Sequence, residues 1–321
     1  LLDAAERGVA DFAERTAQLD ALIVLGAPVR ANGKLYNCGV AVCAGTVLGI
    51  VPKVEVPMYN EFYEGRHFAA GPREVTRVDF AGRLDVPFGA DQLFSCEELP
   101  DLVVAAEVCE DLWVPRPPSA DHALAGATVV CNLSASDELV GKSSYRRDLV
   151  RGQSARLLCG YVYASAGTGE STQDLVFSGH DLVCENGHTL AEARPFGDGR
   201  ALSEVDVRQL AAERRRTSTF DAPASAARAG HHVTRFSLDV HQTRLTRAVD
   251  PHPFVPACGP ERDERCEEVL AIQAHGLARR LAHTRARTAV VGVSGGLDST
   301  LALLVMARAF DLLDLDRSGI V

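Results

Sequence analysis

The 321-residue sequence has little of what marks membrane, secreted or nucleic-acid-binding proteins. No apolar run reaches the roughly 18 residues of a membrane span, and no stretch resembles a secretory signal. The nine cysteines are odd in number and form no C-x-x-C pair, which argues against a disulfide framework or a zinc site. A net charge of −10 disfavours a broad nucleic-acid-binding face but leaves room for a local phosphate site. These absences predict a cytoplasmic protein with no membrane partner, no nucleic-acid partner and no structural metal.

Apolar runs rich in β-branched residues predict buried strands at residues 21–28, 40–51, 102–108, 127–134 and 160–167. Further on, hairpin-like runs have turns at Ser178 and Gly179 and at Asn186 and Gly187. Helical patterns at 119–127 and 145–159 lie between the strands. Strands that alternate with helices and hairpins indicate the α/β fold class, with a layered domain built on a mixed sheet.

This alternation stops near residue 212, and a domain boundary follows. Residues 250–264 contain four prolines, which is typical of a linker. We therefore expect a first domain over 1–245, a linker over 246–262, and a second domain that starts at 263 and is incomplete at 321. Because the first residues have the pattern of a mid-helix and the last that of a strand start, we expect a piece of a longer chain that lacks both ends.

The second domain has a glycine turn between a strand and a helix, SGGLDST at 294–300. Glycines let a backbone approach a phosphate, and the N–H groups of a helix start attract anions. The spacing is not the Walker pattern, but S-G-G-x-D-S resembles the pyrophosphate loop of the ATP pyrophosphatase superfamily. The resemblance implies an adenine-nucleotide alpha hydrolase-like (Rossmann-like) domain that takes ATP as co-substrate, with Mg²⁺ on the phosphates. The residues that match the loop are Gly292, Val293, Ser294, Gly295, Gly296, Leu297, Asp298 and Ser299.

Cys109 lies between Glu107 and the adjacent acids Glu110 and Asp111, and nearby carboxylates disfavour a thiolate. Either this thiol is packed and inert, or another residue supplies a compensating charge. Lys53, with Glu61 eight residues later, together with Cys109 resembles the nitrilase (carbon–nitrogen hydrolase) superfamily, which uses a Glu base, a Lys, a second Glu and a Cys nucleophile. The resemblance implies a four-layer α-β-β-α sandwich in which Lys53, Glu61 and Cys109 are catalytic.

The order of the two motifs, and stretches such as PKVEVPMYNEFYEGRHF and VCEDLWVPRPPS, resemble the glutamine-dependent NAD⁺ synthetase family over essentially the whole chain. The resemblance implies that the first domain hydrolyses L-glutamine and that the ammonia passes to ATP-activated nicotinic acid adenine dinucleotide. NAD⁺, AMP and pyrophosphate are then the products, and the full-length protein is expected to be a homo-oligomer. Tyr59, Glu110, Ser136 and Lys142 match positions that hold glutamine, although Lys142 replaces an arginine found in other members.

Two other interpretations stay open on the sequence. One is a nitrilase-type amidase joined to a different ATP pyrophosphatase, and the other is a catalytically incomplete chain that acts as a folded or assembly module. The general-base glutamate of the family is expected upstream of the helix with which this sequence starts. Other polar or aromatic residues have simpler interpretations: Trp113 packs, and His231, His232 and the run 214–216 face solvent.

Overall fold

The computed structural model describes residues 1–172, 174–197, 199–220, 230–242, 244–249, 251–252, 254 and 259–321. The described chain divides into two compact units, Leu1–Arg247 and Ala248–Val321, called the first and second unit below. The division falls inside the predicted linker 246–262, of which residues 250, 253 and 255–258 lie outside the described residues.

The first unit begins with a helix that covers a five-stranded sheet. Helix α1 (Leu2–Arg15) buries Val9 and Ala13, as the period of an amphipathic helix requires. The hairpin that follows turns at Asn32 and Gly33, whose φ angles of 50° and 74° suit a tight two-residue turn. The sheet has the order β1-β2-β3-β5-β4, with β1 (Leu22–Ala31), β2 (Lys34–Cys43), β3 (Thr46–Pro52), β4 (Thr76–Phe80) and β5 (Arg83–Phe88).

The run 40–51, predicted as one strand, forms parts of two strands, so that prediction was wrong. The chain reverses at Ala44 and Gly45, whose φ angles are 45° and 77°. Alanine carries little turn signal, and apolar residues flank the turn on both sides, so the sequence pattern looked continuous.

A second sheet of seven strands completes the first unit. Its order is β11-β10-β9-β8-β7-β6-β12. Neighbours β7, β8 and β9 are parallel, whereas β6 with β7 and β9 with β10 are antiparallel, which confirms the predicted mixed sheet. The strands are β6 (Gln92–Cys96), β7 (Val103–Val108), β8 (Val129–Ser134), β9 (Gly160–Ser165), β10 (Leu182–Glu185), β11 (His188–Glu192) and β12 (His232–Phe236).

Three apolar clusters order these elements into four layers. Val9 and Ala13 of α1 pack with the outer face of the five-stranded sheet. Between the two sheets, Ala41 and Val51 meet Phe94. On the far side the helices α2 (Pro118–Leu124) and α3 (Lys142–Leu157) cover the seven-stranded sheet. The α-β-β-α sandwich implied by the family resemblance is therefore confirmed.

Arg214 departs from its predicted place in solvent. It lies in helix α4 (Val207–Arg216), and its guanidinium donates to the carbonyl oxygens of Ala127, Leu157 and Leu158 at 2.6–3.0 Å. A guanidinium carries five N–H donors in a fixed fork, so one side chain satisfies carbonyls at the end of α3 and the carbonyl of Ala127 between α2 and β8.

The second unit consists of helices α5 (Pro260–Thr284) and α6 (Leu297–Leu312), which pack through Ala278, Leu281 and Phe310. The strand predicted before the glycine turn is present only as a parallel bridge between Ala289 and Ile320. A strand needs a neighbour along its length, and within the described residues 259–321 the backbone partners of this segment are Gly319, Ile320 and Val321. No helix in the described parts of the chain is both long enough and apolar enough to span a membrane.

Candidate active site

A cavity of about 600 Å³ opens where the carboxyl ends of β3 and β7 meet. The ends of strands are common locations for functional side chains, because loops there are free to vary while the sheet stays rigid. Lys53 follows β3 and Cys109 follows β7, and both border the cavity. Four carboxylates border it as well: Glu61, Glu64, Glu110 and Glu170. The cavity therefore combines a buried lysine, the thiols of Cys38 and Cys109, and several acids.

The partner of Lys53 is Glu64. The side chain of Lys53 is 2% exposed, and its Nζ pairs with Glu64 Oε2. The other oxygen of Glu64 accepts from Asn37 Nδ2 at 2.7 Å, which fixes the carboxylate from β2. A cation buried this far needs such a partner.

Glu61, assigned from the sequence as the second glutamate, borders the cavity but is not the carboxylate on Lys53. Glu64 begins a 3-10 turn, Glu64–Arg66, and this turn directs it back to the strand end. Both acids follow Lys53 within eleven residues, so spacing alone could not choose between them. The fold of the loop places Glu64, and not Glu61, against Lys53. Glu64 is therefore the residue that the sequence pattern missed.

Cys109 opens a 3-10 turn, Cys109–Leu112, directly after β7. Its φ of 48° lies in the left-handed region, which is uncommon for a residue with a Cβ and is often found at functional sites. A sharp turn at a strand end projects its first side chain away from the sheet. The thiol is partly exposed and borders the cavity, so it is not packed in the core.

The acids around Cys109 point in different directions. Glu107 is buried and accepts from the Ser119 N–H at 2.9 Å and from the Tyr161 hydroxyl; burial raises its pKa. Asp111 is also buried and accepts from three backbone N–H groups; burial, with Glu107 nearby, raises its pKa to about 7. Of the three acids, Glu110 alone borders the cavity.

The residues matched to glutamine binding fall into two groups. Tyr59 donates its hydroxyl to Glu110 Oε1 at 2.6 Å, and of this pair Glu110 borders the cavity. Ser136 is 3% exposed. Lys142 pairs with Asp137. Neither Ser136 nor Lys142 borders the described cavity, although the Lys142 Nζ lies 5.5 Å from the ring of Phe62, which does.

In the second unit, the predicted phosphate loop leads directly into α6. Gly295 has a φ of 85°, and a side chain built there or at Gly292 would meet nothing within 4 Å. Ser294 and Ser299 face each other with hydroxyl oxygens 3.3 Å apart. The loop is open, rich in donors and attached to a helix start, which fits a phosphate group. It lacks the buried charge pairs of the cavity.

A second polar cluster contains His231, one of the two histidines that the sequence placed in solvent. His231 is buried, and its Nε2 lies 2.9 Å from His122 Nδ1, so the prediction for His231 was wrong. One atom each of Asp91, His122 and His231 lie within 4.8 Å of one another, a spacing that could hold a metal. However, Arg73 donates to Asp91 at 2.8 Å, and a guanidinium on the carboxylate opposes a cation.

Comparisons with known proteins identify relatives of this chain. The family profile described as carbon-nitrogen hydrolase matches residues 2–215. A glutamine-dependent NAD(+) synthetase of Mycobacterium tuberculosis is 44% identical over 328 aligned positions, which cover 100% of this chain and 48% of that protein. The chain thus spans about half the length of the curated relatives that it matches.

Two solved structures share the fold. A glutamine-dependent NAD(+) synthetase from Cytophaga hutchinsonii has a TM-score of 0.53 at 24% identity, covering 96% of this chain and 42% of that one. The enzyme of the same name from Acinetobacter baumannii, solved with adenosine diphosphate, has a TM-score of 0.50 at 18% identity, covering 98% and 47%. Because the family profile matches more than half of the chain and the first unit has the layered sandwich with Lys53 and Cys109 at one cavity, the chain belongs to the carbon–nitrogen hydrolase family.

Proposed function

We propose that the first unit hydrolyses the side-chain amide of L-glutamine, and that the whole protein uses the ammonia for glutamine-dependent NAD⁺ synthesis. The observation that carries the proposal is the joint position of Lys53 and Cys109 at a cavity lined by acids. The similarity to the M. tuberculosis synthetase over the full length of this chain supports the choice of reaction.

In this proposal the Cys109 sulfur attacks the carboxamide carbon, and the C–N bond breaks to release ammonia. The thiol proton passes to a carboxylate of the site and from there to the leaving nitrogen. Water then attacks the thioester, which releases glutamate and restores the thiol. Lys53 stabilises the developing oxyanion, since a fixed cation in a poorly solvated site costs little reorganisation. From the family resemblance, the general base is expected to be a glutamate upstream of the helix with which this sequence starts.

The cavity also suits the amino-acid end of glutamine. Glu110, held by Tyr59, and Glu170 border the cavity and would attract an α-ammonium group. Ser136 and Lys142 do not line the cavity, and in the proposal they support glutamine binding indirectly. Lys142 would act through its contacts with Phe62 and Asp137.

For the second unit we propose that Gly292, Val293, Ser294, Gly295, Gly296, Leu297, Asp298 and Ser299 hold the phosphates of ATP. The open approach at the two glycines supports this, as does the adenosine diphosphate in the A. baumannii relative. Mg²⁺ would sit with the phosphates, near the exposed Asp298 carboxylate, and neutralise their charge. Nicotinic acid adenine dinucleotide as the amide acceptor, homo-oligomeric assembly and a cytoplasmic location complete the proposal.

The test is an assay of the whole protein for NAD⁺ formation from nicotinic acid adenine dinucleotide and ATP, with either glutamine or ammonium as the nitrogen donor. Cys109→Ala should lose at least about 10³-fold in the glutamine-dependent rate, as expected when a nucleophile is removed, and keep the ammonium-dependent rate. Glutamine hydrolysis without any NAD⁺ would favour an amidase joined to another ATP pyrophosphatase. Unchanged glutamine use by Cys109→Ala would refute the proposed nucleophile.

A further inference from the structure

Lys53 and Cys109 come from different sheets of the sandwich. Lys53 follows β3 of the five-stranded sheet and Cys109 follows β7 of the seven-stranded sheet. The layer between these sheets is apolar. Hydrophobic packing is non-directional, whereas chemistry between two side chains requires their positions to be set to within a fraction of an ångström. A hydrogen bond between the sheets near these two residues would fix their relative position, which apolar packing alone does not.

Asp111 makes such a contact. Its Oδ1 accepts from the N–H groups of Val54 at 3.1 Å and Glu55 at 2.8 Å, the two residues that follow Lys53. Its Oδ2 accepts from the N–H of Val108 at 2.9 Å, the residue that precedes Cys109. The side chain is 1% exposed, so water does not compete for these bonds.

We propose that Asp111 is a positioning residue that fixes Lys53 relative to Cys109 by joining the backbone after β3 to the backbone at the end of β7. The inference rests on the proposed catalytic roles of Lys53 and Cys109. Three backbone hydrogen bonds converge on this one side chain, two from the segment after β3 and one from the end of β7, so it holds both strand ends. The backbone N–H of Lys53 itself bonds to Asn37 in its own sheet, which does not fix its distance to the other sheet.

Glu107 is a matched control for Asp111. It is equally buried at 1% exposure and also accepts from several donors, namely the Ser119 N–H, the Tyr161 hydroxyl and the Asn132 amide. All of these lie on the seven-stranded sheet or the helices that cover it. A change at Glu107 therefore removes a buried carboxylate network without touching the connection between the sheets.

The experiment compares Asp111→Asn with Glu107→Gln in the whole protein. Its readout is the rate at which iodoacetamide alkylates Cys109, followed by peptide mass spectrometry, with the exposed Cys266 of the second unit as internal reference. Loss of a neighbouring negative charge alone would speed alkylation, since carboxylates disfavour a thiolate. Loss of the position of Lys53 would slow it, because a misplaced cation no longer favours the thiolate. The two explanations thus predict opposite signs.

We expect Asp111→Asn to slow alkylation of Cys109 relative to Cys266. Glu107→Gln should leave the ratio of the two alkylation rates closer to the wild-type value, even if it destabilises the protein as much as Asp111→Asn does. In the glutamine assay, kcat of Asp111→Asn should fall on the order of 10²-fold, as a displacement of about 1 Å can cause, with little change in KM. Faster alkylation in Asp111→Asn, or equal slowing in both variants, would overturn the inference. The alkylation ratio needs no turnover, so it remains readable if the glutaminase proposal fails.

A second variant covers the case in which Asp111→Asn does not fold. Gln92 of β6 also crosses the interface, donating its Nε2 to the Ile50 carbonyl in β3 at 2.7 Å. Gln92→Met keeps the volume and removes this contact three residues before Lys53. It should slow alkylation of Cys109 in the same direction and by a smaller factor, and an unchanged ratio would count against contacts between the sheets as the means of positioning.

Discussion

The cavity of the first unit and the loop of the second unit are built in opposite ways. The cavity takes Asn37, Lys53, Glu64 and Cys109 from separate elements and buries the Lys53 side chain to 2% exposure. The loop is one run, Gly292–Ser299, and most of it is exposed. A contiguous loop depends on local backbone geometry, whereas a cavity made from distant segments depends on packing between layers. Substitutions should therefore act through different physical causes in the two places.

The largest effect that separates the two regions is expected from the loop. Asp298→Asn or Ser299→Ala in the whole protein should lower ATP-dependent NAD⁺ formation on the order of 10²–10³-fold, the usual effect of removing one group that stabilises developing charge. Basal glutamine hydrolysis should persist, because no residue of the loop borders the cavity. Parallel assays of both activities test this, and loss of ATP-independent hydrolysis would contradict the separation.

The next prediction concerns which glutamate at the cavity supports Lys53. Glu64→Gln should lower kcat for glutamine hydrolysis on the order of 10²-fold, since a displaced lysine costs about that much and the buried Lys53 charge loses its partner. Glu61→Gln is the matched control, because Glu61 borders the same cavity without pairing with Lys53. Steady-state kinetics of both variants test this prediction. A larger loss of kcat in Glu61→Gln than in Glu64→Gln would assign the positioning of Lys53 to Glu61.

A smaller effect concerns acid stability, which should differ between the units. Burial, together with His231, lowers the pKa of His122 to about 3. A lowered histidine pKa means that the unfolded chain binds the proton more readily, so the stabilisation is complete above about pH 6.5 and is lost as pH falls toward 3. The slope should be at most about 1.4 kcal/mol per pH unit. Asp111, with its pKa raised to about 7, acts in the opposite direction.

The comparison of wild type with His122→Asn isolates the histidine from these other groups. The free energy of unfolding in urea, measured from pH 7 to pH 5, should fall less steeply for the variant. The second unit is the internal reference, because the carboxylates of its described ion pairs are exposed. Identical slopes for wild type and variant would show that His122 does not titrate as described.

The smallest effect is expected at Lys142. Lys142→Arg should change the free energy of unfolding by less than about 1 kcal/mol, because a guanidinium can pair with Asp137 and stack on an aromatic ring. The Nζ already lies 5.6 Å from the Trp113 ring, so room for a planar cation exists there. Urea unfolding measures the change, with Lys34→Arg on the exposed start of β2 as the control. A loss of several kcal/mol would mean that the site excludes the larger head group.

The sequence pattern predicted more of the scaffold than of the contacts. Apolar runs located β1, β7, β8 and β9, but the short strands β4, β5, β6 and β12 were not predicted because polar residues interrupt them. The turn at Ala44 was hidden for a related reason, since alanine fits an apolar run. Local patterns therefore indicate long apolar runs and miss short strands with polar residues, both at a sheet edge (β4 and β12) and inside a sheet (β5 and β6).

The sequence by itself determined the mixed α/β class, because that class follows from periodic patterns. It also identified the phosphate-loop motif and the candidates Lys53 and Cys109, because the short stretches around them resemble known families. Only the tertiary structure decided that Glu64 rather than Glu61 meets Lys53, that His231 is buried against His122, and that Asp111 joins two sheets. Those partners lie 11, 109 and 56 positions apart. Contacts over such separations are set by how layers pack, and hydrophobic burial fixes the layers without encoding, in any short stretch, which polar groups will face each other.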